Sequence, residues 1–386
     1  MNNLIIVGCV ADNPFVEDVI QHMNQQVEYS DLISLKSFLN SEFCPRFIVD
    51  ENNYEKIGTQ LEGKKILIVS SSFGLYTRND LAMKNFLIAR AAKDNGAERV
   101  MLLEPDLYYS AQDRGPRKEH GVTEFKRDIS DYKKFDGQPF SSRLYADLLL
   151  KAGIDEVVTV HNHSCSVRNV FMDRFSGHFH NLKPSDLYAG YLQESDIVNN
   201  NDIVLCAPDK GAIPFAKEVR SAFGSMEPPL LIIDKQRRGE RDVCVRLSNT
   251  SAVTLDDITG KDVVVIDDMV RTGKTIQECC RYLKKANPKK IVFVVTHFYS
   301  SQEGRINLND SAIDEIVTTN TIPQILNRDM QGRLRHKMVV LLIERWISSY
   351  IIELMGMSKT VKGPLYRENM SSKNPRWKGK MGPLFS

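Results

Sequence analysis

The residues with the most chemical content lie between Val263 and Thr275, VVVIDDMVRTGKT. Asp267 and Asp268 are adjacent carboxylates that can accept hydrogen bonds from vicinal hydroxyls. Arg271, Thr272, Gly273, Lys274 and Thr275 follow as a small-residue turn with two cations in it. The amides of such a turn, and of a helix start behind it, can hold a phosphate. The elements that must position these groups are legible on either side. The aliphatic run 263–266 reads as a strand buried on both faces of a parallel sheet, with the acid pair where the strand should end. The pattern 276–285 reads as a helix. Strand, acids, turn and helix start, in that order, suit a phosphorylated sugar. A plain strand ending in Asp-Asp before a turn is the blander reading, and the order of the parts argues against it. A Walker A loop is excluded, because it needs a glycine five residues before Gly273 and Asp268 stands there.

The same alternation runs along most of the chain. Strands are expected at 65–71, 100–103, 156–160, 203–207, 230–233, 262–267 and 291–295, with helical patterns such as 81–94, 141–152 and 213–223 between them. Repeated β-α units imply parallel sheets with helices on both faces. A polar stretch rich in His and Asn, 162–191, marks a break. The expectation is an α/β chain of two similar domains, 1–165 and 166–335, with ligands at the carboxyl ends of the strands. Residues 336–357 are apolar and are expected to form a helix that packs back on the first domain. The stretch 358–386 is rich in Lys, Arg, Gly, Pro and Ser and is expected to be an extended basic tail.

Composition narrows the class. A chain of 386 residues is long enough for two cores. A net charge of +2 gives no global drive toward nucleic acid or acidic membranes, so neither is expected as a partner. Seven cysteines without a CxxC pair read as reduced thiols of a cytoplasmic protein, not as a disulfide framework or zinc site. The start, 1–13, lacks a basic region ahead of its apolar run and reads as a first strand rather than a signal peptide. The longest apolar candidate, 338–355, contains Glu344, Arg345 and Glu353 and does not suit a bilayer span.

Further segments carry chemistry in a fixed order. Ser70-Ser71-Ser72 is followed by Asn79-Asp80-Leu81, and Tyr108-Tyr109-Ser110-Ala111 by Gln112-Asp113-Arg114. Gln138-Pro139 precedes Ser142-Arg143-Leu144-Tyr145, and the stretch 153–163 ends in His163. Ala207-Pro208-Asp209-Lys210-Gly211, Ile233-Asp234-Lys235-Gln236-Arg237-Arg238 and the stretch 318–323 complete the series. With the loop 263–275, this set resembles the phosphoribosyl pyrophosphate (PRPP) synthetases, also called ribose-phosphate pyrophosphokinases. The loop alone is similar to that of type I phosphoribosyltransferases. The resemblance spans most of residues 60–350 and implies two tandem type I phosphoribosyltransferase-like domains with central parallel sheets.

It also implies a reaction and a set of roles. The β,γ-diphosphoryl group of ATP would pass to the anomeric hydroxyl of ribose 5-phosphate, with Mg²⁺ as cofactor and AMP released. Lys235 and Arg237 would be catalytic, on a loop that closes over the transferring group. Asp267, Asp268, Arg271, Thr272, Gly273, Lys274, Thr275, Asp209 and Gly211 would bind the sugar phosphate and pyrophosphate. Gln112, Asp113, Arg114, Phe47 and Glu51 would contact the nucleotide, and His163 and Asp209 the metal. ATP and a ribose phosphate are the implied partners, along with further copies of the chain in a homo-oligomer built on dimers.

Several positions depart from the family pattern. Arg271 replaces an acid and Lys274 a glycine, adding positive charge beside the sugar-phosphate loop. Ala111 replaces an arginine, 115–137 lengthens the nucleotide segment, and the pyrophosphate turn is reduced to Gly211-Ala212 with Lys210 added. The extra cations suit either a larger ribose 5-phosphoryl acceptor, such as ADP-ribose, or salt bridges to other loops. A catalytically weakened regulatory homologue is the other alternative. A phosphoribosyltransferase is disfavoured by the tandem organisation and by Lys235–Arg238. His161 and His163 alternate on one strand face, but the resemblance supports only His163 as a ligand. His178 and His180 read as satisfied polar groups, and Trp346 as core.

Overall fold

The computed structural model describes residues 3–74, 76–123, 125–162, 164–237, 243–357 and 364–370. The chain divides into two compact units, Met1–Leu182 with Glu344–Gly363, and Lys183–Ile343 with Pro364–Ser386.

The first unit holds β1 (Leu4–Gly8), β2 (Ile33–Ser37), β3 (Phe43–Phe47), β4 (Lys65–Val69), β5 (Arg99–Leu103), β6 (Glu156–Val160) and β7 (Phe179–Leu182). Its sheet is ordered β1-β4-β5-β6-β7, and every neighbouring pair is parallel. β2 and β3 form a separate antiparallel hairpin. Continuous aliphatic runs suit these strands because helices cover a parallel sheet on both faces; all of β6, for example, is buried. The helices are α1 (Pro14–Met23), α2 (Arg78–Asp94), α3 (Ile129–Lys134), α4 (Ser141–Ala152) and α5 (Cys165–Arg174). Side-chain oxygens of Asn13, Thr77 and Ser164 cap α1, α2 and α5, satisfying amides that have no partner in a helix's first turn.

The first unit extends past the boundary expected at residue 165. β7 pairs with β6 from Val157–Phe179 to Val160–Leu182, so 166–182 belongs to the first sheet. The division between the units, Leu182–Lys183, falls inside the polar stretch 162–191, where a break was expected. The polarity of that stretch is that of a solvated helix: α5 buries Val167 and Phe171 and exposes Arg168, Asn169 and Asp173.

The second unit holds β8 (Ile203–Ala207), β9 (Leu230–Arg237), β10 (Val243–Leu247), β11 (Asp262–Val270), β12 (Lys290–Phe298), β13 (Glu315–Thr319), β14 (Met338–Leu342) and β15 (Arg367–Met370). Its helices are α6 (Ser185–Glu194), α7 (Ile213–Ala222), α8 (Lys274–Lys284), α9 (Gln302–Leu308) and α10 (Arg328–Gln331). The sheet order is β10-β9-β8-β11-β12-β13-β14-β15. The inner strands are parallel, and β10 and β15 run antiparallel at the two edges. Val204, Cys206, Val263, Val265, Phe293 and Val295 lie in its core. Cys9, Cys44, Cys165, Cys206, Cys279 and Cys280 are free thiols.

The apolar run 338–354 is not one helix. Its first part is the fully buried strand β14, paired with β13, and only α11 (Glu344–Leu354) is helical. A short apolar run reads the same for a buried strand and a buried helix, which is why periodicity misassigned it. The stretch expected as a free tail also contributes structure, because 367–370 pairs with β14 and Tyr366 donates to Glu194 (3.1 Å). Trp377 lies outside the described residues. Among the described residues, no helix is long and apolar enough to cross a membrane.

α11 belongs to the first unit, where it packs against α1 and buries Ile347, Ile351 and Ile352. Trp346 is half-buried on it. A polar chain fixes its register. The Tyr350 hydroxyl lies 2.9 Å from His180 Nδ1, and His180 Nε2 lies 2.7 Å from Glu156 Oε1. Glu156 is fully buried, and Arg99 Nη2 sits 2.9 Å from its other oxygen. Removing the acid leaves Arg99 and His180 without their shared partner, although Arg99 is partly solvated and loses less than a buried cation would. Glu156→Ala should therefore destabilise the protein by about 2–3 kcal/mol. Urea unfolding followed by circular dichroism measures this; an unchanged midpoint would show that the chain Tyr350–His180–Glu156 contributes nothing.

Candidate functional site

β11 does not stop at the acid pair. It continues through Asp267 and Asp268 to Val270, which pairs with Phe298 on β12. The ladder therefore holds both acids in extended backbone at the carboxyl end of the sheet, where ligands bind in open α/β sheets. The Asp268 amide donates to Asp267 Oδ1 (2.9 Å). Burial of the Asp267 carboxyl group, with the Asp268 and Asp209 carboxylates adding to it, pushes this acid well above the usual carboxylate range.

The turn after β11 is held from one side. Gly273, at φ +71°, carries the chain into α8, and a Cβ there would meet Leu308 Cγ at 2.8 Å, so both conformation and space demand glycine. Ser301 Oγ donates to the Arg271 carbonyl (2.6 Å), and Asn307 Nδ2 donates to the Thr272 carbonyl (2.8 Å). Gly304 lets α9 come this close, since a Cβ there would lie 2.6 Å from the Arg271 oxygen. Asp310, just past α9, accepts from Gln277 (3.1 Å) and Arg281 (2.8 Å) on α8. Arg271, Thr272 and Lys274 are exposed, and the Arg271 guanidinium lies 5.9 Å from the centre of the Tyr299 ring. Ser301, Gly304 and Asn307 were not foreseen from the sequence. The one local signal was Ser301 as a helix cap, and nothing in the sequence says which loop a cap will meet.

Asp209 stands in the turn between β8 and α7. Its Oδ1 accepts from the amides of Gly211 (2.9 Å) and Ala212 (3.2 Å). β8 lies between β9 and β11, so this turn and the acid pair share one edge of the sheet. Lys235 and Arg237 fall on strand rather than loop backbone. β9 runs on past residue 233, the end expected from the sequence, because β10 supplies a ladder partner as far as Val243–Arg237. Lys235 is three residues beyond Ile232, which pairs with Ala207. Its backbone is thus roughly 10 Å past the end of β8 and two strand spacings, about 10 Å, across from β11. Arg238 and the rest of 238–242 lie outside the described residues.

In the first unit, the segment Gln112–Arg114 is tied down by its own chain. Ser141 Oγ donates to Gln112 Oε1 (2.6 Å), Ser164 Oγ to Asp113 Oδ2 (2.7 Å), and Arg114 Nη1 to Asp131 Oδ1 (3.0 Å). Asp131 comes from the insertion 115–137. That insertion is organised by Arg127, which binds Asp131 (2.6 Å) and the carbonyls of Gly115 and His120 (2.8 Å each). Glu104 was also unforeseen. It is buried at the end of β5 and accepts from the Tyr108 amide (2.9 Å), Tyr145 (2.8 Å) and Asn85 (3.2 Å), and burial pushes its carboxyl up to about 8. Phe47 is only 2% exposed and pairs with Ile33 in the hairpin, so its ring packs in the core and is not presented to a ligand from this chain. Glu51 is half-exposed and pairs with Arg46 at 2.8 Å. His163 lies outside the described residues. Among those described, no group of three or more His, Cys, Asp or Glu is placed to hold a metal.

A raised carboxyl has a defined pH signature. The unfolded chain ionises Asp267 above about 3.8, while the folded chain resists, so the penalty on folding grows as pH rises toward the folded value. Asp267→Asn removes that penalty. Its thermal midpoint should exceed the parent's, by little near the unfolded value of 3.8 and by progressively more as the pH is raised above it. A gap that stays constant or narrows with pH would contradict this placement of the acid.

Comparison with known proteins follows the same geometry. The phosphoribosyl transferase domain family matches residues 185–328, which include the acid pair, the turn and α9. The ribose-phosphate pyrophosphokinase of Corynebacterium glutamicum is 29% identical over 246 residues, 64% of this chain and 66% of that protein. The Corynebacterium efficiens protein of the same name is 29% identical over 322 residues, 83% of this chain and 85% of its own. Ribose-phosphate pyrophosphokinase 2 of Saccharomyces cerevisiae is 27% identical over 71% of this chain and 76% of that protein. The crystal structure of phosphoribosylpyrophosphate synthetase from Mycobacterium smegmatis shares the fold, with a TM-score of 0.69 at 23% identity over 92% of this chain and 99% of the other. Two parallel-sheet α/β units, an acid pair running into a tight turn and this set of relatives converge: the second unit carries a phosphoribosyl transferase domain, and the chain as a whole is similar to the ribose-phosphate pyrophosphokinases, or PRPP synthetases.

Proposed function

We propose that this chain is a Mg²⁺-dependent ribose-phosphate diphosphokinase that moves the β,γ-diphosphoryl group of ATP to the anomeric hydroxyl of ribose 5-phosphate. The products are PRPP and AMP. The observation that carries this reading is the single sheet edge of the second unit, on which Asp209, Asp267–Asp268, the turn 271–275 and the strand bearing Lys235 and Arg237 all lie.

Each part has a task in that reaction. The Asp267–Asp268 pair accepts hydrogen bonds from the ribose hydroxyls, which replace the water that burial took away. The amides of the turn and the start of α8 hold the 5-phosphate. The anomeric oxygen bonds to the β-phosphorus, its proton passes to solvent water, and the bond from that phosphorus to the AMP oxygen breaks, AMP leaving with the bonding pair. Lys235 and Arg237 neutralise the oxygens of the migrating group, and positioning supplies the rest of the rate. In the first unit, Gln112, Asp113 and Arg114 contact the nucleotide.

The residues present fit Mg²⁺. Asp267 is raised partly by Asp209 and Asp268, so three carboxylates create a negative field. Mg²⁺ commonly takes one or two carboxylates with substrate phosphates and water. Asp209 would hold it through Oδ2, its Oδ1 being engaged by two amides. When bound, the ion neutralises and orients phosphate oxygens. The same reading places the enzyme in the cytoplasm, in a homo-oligomer built on dimers.

A second reading concerns the acceptor alone. Arg271, exposed and close to the Tyr299 ring, and Lys274 add two cations to the turn. They suit a ribose 5-phosphoryl group that continues into a diphosphate and a base, such as ADP-ribose.

Incubation with ATP, Mg²⁺ and each acceptor distinguishes these readings. AMP release that requires ribose 5-phosphate is the expected result. Release only with ADP-ribose would select the second reading, and none with any acceptor would leave a regulatory homologue. Lys235→Ala should slow AMP formation by at least about 100-fold while ATP binding persists; unchanged turnover would remove Lys235 from the reaction.

A further inference from the structure

Leu308 of α9 packs against Gly273, and the hydrogen bonds that α9 and its cap make to the turn 271–273 go to the turn's carbonyls. Ser301 holds the Arg271 oxygen and Asn307 holds the Thr272 oxygen. A trans peptide is planar, and its C=O and N–H point in opposite directions. The Arg271 carbonyl shares a plane with the Thr272 amide, and the Thr272 carbonyl with the Gly273 amide. Fixing the two oxygens toward α9 therefore turns two successive amides away from it. Two adjacent amides presented together form a concave anion-binding group.

Three further features make the arrangement specific. Gly304 leaves room for the contact, and Gly273 accepts the left-handed conformation that the second amide requires. Ser301 serves two ends at once: its oxygen accepts from the Gly304 amide (3.0 Å) to cap α9, while its single hydrogen goes to the Arg271 carbonyl. Asp310 then bolts the end of α9 to α8 through Gln277 and Arg281. Both clamp bonds lie at the protein surface, where a neutral hydrogen bond adds little to stability. Hydrogen bonds from amides to a charged phosphate are the strong ones, so aim matters here more than fold stability.

We propose that Ser301 and Asn307 are positioning residues of the sugar-phosphate site, which aim the Thr272 and Gly273 amides at the phosphate by holding the carbonyls on the far side of the same peptides. This rests on the sugar-phosphate reading given above. Neither residue touches the substrate.

The test is calorimetric titration of the full chain with ribose 5-phosphate in Mg²⁺, alongside thermal unfolding. Asn307→Leu keeps the size and removes the donor, and Ser301→Ala removes the hydroxyl. Each should weaken binding about tenfold and move the unfolding midpoint by no more than about 2 °C. Asn307→Gln, which keeps a donor, should recover much of the affinity. Gly304→Ala, which pushes a methyl into the Arg271 carbonyl, should weaken binding as the donor deletions do. Unchanged affinity in Asn307→Leu and Ser301→Ala overturns the proposal. So does a loss that tracks a large fall in midpoint and is not recovered by Asn307→Gln, because α9 would then act through stability alone. If the parent chain binds no ribose 5-phosphate, the functional reading itself falls and this proposal falls with it.

Discussion

Crowding three carboxyl groups at the part-buried mouth of a parallel sheet is the constraint around which the second unit is arranged. Asp267 sits in ladder-bound backbone, next to Asp268 and within the field of Asp209, and burial opposes its ionisation. Nothing local makes that arrangement comfortable. The backbone amide of Asp268 offers it one hydrogen bond, and the strand that carries it is packed into the core through Val263 and Val265. A ligand that brought hydroxyls or a cation would relieve that cost. The turn beyond the acids must be equally rigid for that relief to be directional, which is why glycines and carbonyl contacts crowd one side of it.

Much of this was readable before any coordinates. The buried strands announced themselves as aliphatic runs, and the acid pair followed by Thr272-Gly273 identified the turn. The failures share a physical cause. β11 and β9 outran the ends read for them because partner strands, β12 and β10, supplied hydrogen bonds to polar residues that look like loop. β14 was mistaken for helix because five buried aliphatic residues have no periodicity to read. β15 escaped notice because an edge strand such as RENM needs neither an apolar face nor β-branched residues once its partner is in place. Ser301, Asn307 and Glu104 act on segments distant in sequence or through burial, and neither leaves a local pattern.

The first unit shows the same economy with different residues. Glu104, Tyr145 and Asn85 meet under the segment that leads to Gln112, and the insertion 115–137 folds over Arg127 and Asp131 to grip Arg114. A charged insertion that reads as a loose loop is thus a braced one, with Arg127 over its own Tyr132 and its Phe135 under Arg114. The departure from the family pattern in this segment is therefore not a simple lengthening. It adds a second layer of the chain's own side chains beside Gln112–Arg114.

The path of the backbone carries one last implication. After Ile343 the chain leaves the second unit, donates α11 to the first, and comes back as β15. During synthesis, the first unit to emerge from the ribosome is thus the one that must wait: its sheet can assemble early, but the face of α1 stays bare until translation has passed Leu354. Vectorial folding, in which the leading domain finishes before the next appears, is closed to this topology. Neither half can be expressed as a simple fragment without orphaning a piece of the other.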